Sequence, residues 1–217
     1  AEIQNLKLKA ALLFLSFLFL SDKMNAQSSA FGSFWKLSCP EKWWVFTHPF
    51  VAKDAFKITR EARLKSDSLL QISALDGDPL GGQIDAFRHA YWMARMAQTM
   101  KWKKALRLGK AHEKANKISF RKNHNDEEGL LPDSVSSEMD LYNNQVGVAI
   151  GCNFKSVSGQ AICDTVIQNI RAGKLKIILK NENGVELKCD GTQLDKNEFA
   201  GKWNIPKCLV NSNSLFK

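Results

Sequence analysis

Residues 85–92 read DAFRHAYW, and the reading of this octapeptide decides the fold. Its apolar members suit a protein core, yet it carries an acid, an arginine and a histidine. Projected at 100° per residue, Asp85, Arg88 and His89 share one arc with Trp92 and Met96, while Phe87, Ala90, Tyr91 and Ala94 cover much of the remaining surface. A helix that is apolar almost all round is buried. The polar trio therefore points into protein, and the chain must supply partners for it.

Two further helices do so. The segment 102–118 gathers Lys103, Lys104, Arg107, Lys110, Lys114 and Lys117 on one side, which marks the solvent face. Opposite lie Trp102, Ala105, Leu106 and Gly109, and among them sit His112, Glu113 and Asn116. A glutamate on a buried face needs a partner or a shifted pKa. The segment 137–150 aligns Asp140, Asn143, Asn144 and Gly147, with Gly151 beyond, along one stripe whose small residues allow close backbone approach. Asp140 also fits the third position of a capping box begun by Ser137.

Three helices thus turn acids inward, two with a histidine and the third with paired asparagines. One shared polar site is the economical inference, built from Asp85, Arg88, His89, His112, Glu113, Asp140, Asn143 and Asn144. As a catalytic centre it would rest on His89, His112, Glu113 and Asp140, with Glu113 or His112 as base. Asp85, Arg88, Asn143 and Asn144 would then contact substrate, Arg88 steadying an anion. Two histidines with carboxylates also supply the ligand types for zinc or manganese. The structural alternative is a buried, satisfied network that fixes helix register without chemistry. His48 and His124 fall outside the set.

Elsewhere the pattern is that of a mainly α domain with four to five helices. A first helix runs over 49–66, with Thr47 as cap, Pro49 at its start and Val51, Ala55, Ile58 and Ala62 at helical spacing. The central helix covers 83–100 and a last one 159–172. Residues 119–136, broken by Gly129 and Pro132, read as a loop. KLKIILK and VELKC flank NENG, which predicts a small C-terminal β-hairpin. An EF-hand at Asp76-Gly-Asp78 fails, because Leu80 and Phe87 occupy positions that should bear oxygen ligands.

The N-terminus reads as a secretory signal peptide over residues 1–30: lysines at 7 and 9, the apolar run AALLFLSFLFL, then small polar residues. The run is well short of the roughly 20 residues of a membrane-spanning helix. Residues 31–173 then form the helical domain with the polar motifs, and 174–217 a hairpin and cysteine-bearing tail. The formal net charge of +9 falls only to +8 when residues 1–26, with three lysines and two acids, are removed. This basic balance reads first as a solvated lysine-rich surface; in an exported protein the anionic partners it would meet are envelope polymers or lipid head groups, and no nucleic acid is expected. Five cysteines in an oxidising compartment should partly pair. Proximity pairs Cys152 with Cys163 and Cys189 with Cys208.

Taken together, DAFRHAYW, the later AHE at 111–113 and MDLYNN at 139–144 resemble an uncharacterised bacterial domain family of unknown function, found in many exported or wall-associated proteins. The likeness covers roughly residues 76–151 and implies an exported helical domain with a shared polar constellation. Neither HExxH nor GxSxG occurs. The resulting expectation is an exported hydrolase of an envelope or extracellular substrate, with a non-enzymatic binding or scaffold domain as the alternative.

Overall fold

The computed structural model describes residues 34–122 and 132–214. The expected signal peptide and His124 lie outside the described residues. Helix α1, Cys39–Thr47, is one that periodicity did not reveal. Its start is set by a capping box, in which the Ser38 hydroxyl accepts from the Glu41 backbone N–H and the Glu41 carboxylate accepts from the Ser38 N–H. Helix α2 spans Pro49–Gln71 and follows directly, with His48 at its N-cap. Thr47 is not the cap; its hydroxyl donates back to the Trp43 and Trp44 carbonyls. The helix outruns its expected end because Ser66 and Leu69 still find the core.

Helix α3, Gln83–Thr99, is the axis of the molecule, with Ala86, Phe87, Ala90, Tyr91, Met93, Ala94, Met96 and Ala97 fully buried. Helix α4, Trp102–Lys122, shows its lysine face to solvent, although Trp102 is exposed with it. Helix α5, Ser134–Asn153, begins a turn earlier than expected. Asp133 is its cap and accepts from the Val135 and Ser136 N–H groups, so the capping role considered for Ser137 and Asp140 falls away. Asp140 lies inside the helix, free to face its neighbours.

The glycine stripe of α5 packs on α3. A Cβ on Gly147 would lie 2.2 Å from the Ala90 carbonyl oxygen, and one on Gly151 2.1 Å from that of Ala94. No side chain fits there, and this contact brings α5 close enough to share polar groups with α3. Helix α6, Gly159–Arg171, is capped by Ser158 and completes the helical core.

The C-terminal sheet is small, as expected, but its strands pair differently. β1, Lys176–Ile178, runs antiparallel to β2, Leu209–Asn211, with Ile177 opposite Val210. The Asn-Gly turn does form, Asn181 N–H donating to the Val185 carbonyl, but it supports only an isolated bridge between Lys180 and Glu186. A short helix α7, Lys196–Phe199, lies between the strands. Leu175 and Ile177 belong to the same hydrophobic cluster as the helices. Lys207 bridges Asp133 and Glu186 at 2.7 Å each, tying the tail to the start of α5.

Cys189 and Cys208 form a disulfide, as expected. The second expected pair does not form: Cys152 and Cys163 are free, as is Cys39. Each of the first two is fixed within its own helix, Cys163 in the core and Cys152 against its edge. Helix packing, not separation along the chain, sets where their side chains point.

Candidate functional site

The three motif helices do bring most of the expected residues together. On α3, residues 85 and 89 stand one turn apart, so His89 Nε2 lies 3.5 Å from Asp85 Oδ1; α5 places Asp140 Oδ1 at 3.3 Å from the same nitrogen. Asp85 also accepts from the Gly81 N–H at 2.8 Å and pairs with Arg88. Glu113, from α4, accepts from the Asn116 amide at 3.1 Å. Asn144 lies beside His89.

Burial governs the charges. It is the first cause that lifts the Asp140 carboxyl well above the usual carboxylate range, and the neighbouring charges of Asp85 and Glu113 lift it further. Asp85 and Glu113 are raised for the same first reason, Asp85 with partial relief from Arg88 and Glu113 with partial relief from His112. The His89 imidazole is pushed well below its ordinary value by burial, then by the Arg88 and His112 charges, which favours the neutral ring. Several polar atoms in this knot are buried without a well-formed hydrogen bond: His89 Nδ1, Glu113 Oε1, Asp140 Oδ1, and both amide atoms of Asn144. Native interiors leave few such atoms, and a cluster of them marks room for water, an ion or a ligand.

His112 is engaged elsewhere. Its Nδ1 lies 3.0 Å from Glu41 Oε1, and because a carboxylate only accepts, Nδ1–H is the donor. Burial opposes the imidazolium, but the Glu41 bond and the charges of Glu113 and Glu41 outweigh it and raise the pKa above the ordinary value. Burial would lift Glu41 too, yet the bonds from His112 and Ser38 hold it below its usual range. Asn143 stands apart from the cluster. Its amide accepts from the Lys176 N–H and donates to the Lys176 carbonyl, both at 2.9 Å, and so fastens β1 to α5.

A cavity of about 490 Å³ opens beside the histidines, between α1, α2, α3 and α4. Its walls are mostly apolar, with Trp44, Val45, Phe56 and Leu108 prominent. At its polar end stand Glu41, Arg63, Arg88, His89 and His112. The Trp92 ring meets both imidazoles edge-on, 5.8 Å from that of His112 and 6.4 Å from that of His89, the two imidazoles lying 6.3 Å from each other, and its indole N–H donates to Thr59. An apolar chamber with a few convergent polar groups is the usual form of a small-molecule site. Asp140, Glu113 and Asn144 lie behind this lining.

Sequence reasoning missed Glu41, Arg63 and the α1 wall. The signal for Glu41 was present in Ser38-Cys-Pro-Glu41, a capping-box spacing. His112, bonded through Nδ1 to Glu41, does not join the group of side chains whose ligand atoms converge. Among the described residues the atoms that converge are those of Asp85, His89 and Asp140, all within 4.8 Å of one another.

The comparisons with known proteins agree with this core. A family described as a domain of unknown function (DUF6973) matches residues 42–174. The chain belongs to that family. The matched span holds α2 to α6 and every residue of the polar cluster, and it begins just past Glu41. No curated protein and no solved structure matches the chain. Membership in DUF6973 therefore fixes kinship and leaves chemistry to be argued from the site.

Proposed function

We propose that this chain is an exported hydrolase of an envelope or extracellular substrate, and that its base is His112, oriented by Glu41. The observation that supports this reading is the carboxylate–imidazole pair at the polar end of an apolar cavity. With Nδ1–H donated to Glu41, neutral His112 carries its lone pair on Nε2, the arrangement needed to take a proton from water. The hydroxide equivalent would attack the substrate's acyl carbon, and the imidazolium, steadied by Glu41, would return the proton to the leaving group. Arg88 and Arg63 at the same end suit the charge that develops on the acyl oxygen.

The walls suit an amphiphilic substrate. Trp44, Val45, Phe56, Trp92 and Leu108 favour an apolar chain, and Arg63 and Arg88 an anionic group next to it. An amphiphilic ester combines both. Export draws support from the Cys189–Cys208 disulfide, which suits an oxidising compartment. Among the described residues no helix is long and apolar enough to cross a membrane.

A chromogenic ester series of increasing acyl length tests the reading. Turnover by the full chain should rise with chain length until the cavity is filled, then fall. A flat response at the buffer rate across the series would remove the hydrolase assignment. The alternative, a binding or scaffold domain, is favoured by one observation, the purely structural use of Asn143. That reading gives amphiphile binding without turnover.

A further inference from the structure

We propose that Asp85, His89 and Asp140 form a binding site for one divalent cation of the manganese or zinc class, on the buried side of the cavity's polar end. The site stands independently of the hydrolase reading, because its occupancy is measured without turnover.

Distances carry the argument. Two ligand atoms each about 2.1 Å from a tetrahedral cation sit about 3.4 Å apart. His89 Nε2 lies 3.5 Å from Asp85 Oδ1 and 3.3 Å from Asp140 Oδ1. Both separations are long for hydrogen bonds to nitrogen, whose usual length is about 2.9 Å. They suit three atoms that share a cation.

Independent support comes from the unpartnered groups. Asn144 is 1% exposed and lies within reach of His89, with no hydrogen bond of good geometry at either amide atom. Its carbonyl oxygen, or waters held by it, would complete a shell that three protein ligands leave open. Asp140 Oδ1 is also buried, with no well-formed hydrogen bond beside its 3.3 Å approach to His89 Nε2. Arg88 pairs directly with Asp85, while its charge only partly relieves Asp140 of burial and of the Asp85 and Glu113 charges, so a double positive charge is what Asp140 can still accept. One imidazole with two carboxylates selects borderline or hard ions, manganese and zinc over copper(I). Helix geometry makes the site possible: the four-residue spacing stacks Asp85 under His89, and the side-chain-free contact at Gly147 lets α5 deliver Asp140.

The test uses the full chain, prepared without a histidine tag and stripped with chelator, and titrates it with manganese and zinc chlorides by calorimetry. One ion per chain and a higher melting temperature are expected, with at least tenfold weaker binding in Asp140→Asn, roughly the loss of one ligand. Proton NMR of the wild type locates the ion without any variant, since manganese should broaden the His89 imidazole signals before those of His48. Absence of saturable binding, unchanged affinity in a folded Asp140→Asn, or earlier broadening of His48 would each overturn the site.

Discussion

Glu41 serves two ends of the molecule at once: one carboxylate oxygen accepts from Ser38 and starts α1, and the other, 71 residues away in sequence, lies 3.0 Å from His112 Nδ1. Helix initiation and imidazole orientation therefore share one side chain. Glu41→Gln should keep much of the cap, since an amide oxygen still accepts, but lose the charge that fixes the tautomer of His112. We expect hydrolytic turnover to fall at least about tenfold while stability falls by about 1 to 2 kcal/mol, the worth of a charge-assisted hydrogen bond. Ester turnover and urea denaturation of the same preparation check both numbers.

The α3–α5 contact predicts a steep steric effect. Gly147→Ala would place a methyl 2.2 Å from the Ala90 carbonyl oxygen, a backbone atom that cannot move without its helix. Separation of the helices should cost about 3 kcal/mol, at the upper end of ordinary overpacking. It should also weaken manganese binding, because Asp140 rides on the displaced helix. Gly184→Ala meets no atom within 4 Å but sits at φ +75°, so its cost is only the 1 to 2 kcal/mol of left-handed backbone. Denaturation curves of the two variants should rank accordingly.

Away from the site, Glu61 predicts an acid-side dependence. It accepts from the Tyr91 hydroxyl at 2.5 Å and from Arg95 Nε at 2.9 Å, and Lys65 is near. Burial would raise its carboxyl, but the Arg95 and Tyr91 bonds and the Arg95 and Lys65 charges prevail and hold it below the ordinary value of 4.5. A depressed folded pKa contributes stability that is complete above the unfolded value and is lost as pH falls through the folded one. Wild-type stability should therefore decline below about pH 4.5, partly through Glu61. Glu61→Gln should flatten that part of the curve, measured by denaturant titration between about pH 3 and pH 6. An unchanged slope would show that Glu61 is not among its causes.

Cysteine chemistry separates the two pairings expected from proximity. Unfolded, unreduced protein should titrate three thiols, those of Cys39, Cys152 and Cys163. In the native state exposed Cys39 should react first and buried Cys163 last. Opening Cys189–Cys208, which closes a loop of 19 residues along the chain, should lower stability by about 3 kcal/mol in the chain-entropy picture. One titratable thiol in place of three would restore the Cys152–Cys163 bridge.

How far the sequence was readable follows from the range of the forces involved. The buried Asp85 and His89 of α3, the solvent lysines of α4 and the glycine stripe of α5 are periodic signals within single helices and are found as expected, whereas Arg88 on the same arc stays half-buried beside Asp85. Asp140 was legible by its place on that stripe, and its capping role dissolved once Asp133 was seen to start the helix. Asn143 shares the stripe but is claimed by Lys176, a partner 33 residues away that no periodicity reveals. The pairing of β1 with β2 and the Glu41–His112 contact are likewise long-range choices. They depend on which surfaces the helices leave open after packing.

The central claim is that the Glu41–His112 pair performs chemistry and is not merely a structural tie. Paired measurement of turnover and stability in His112→Gln tests it most directly. The account predicts loss of ester hydrolysis by at least about a hundredfold, as for removal of a general base, with stability within about 2 kcal/mol of wild type, since a partly exposed imidazole is removed. Retained turnover in a folded His112→Gln protein would contradict it.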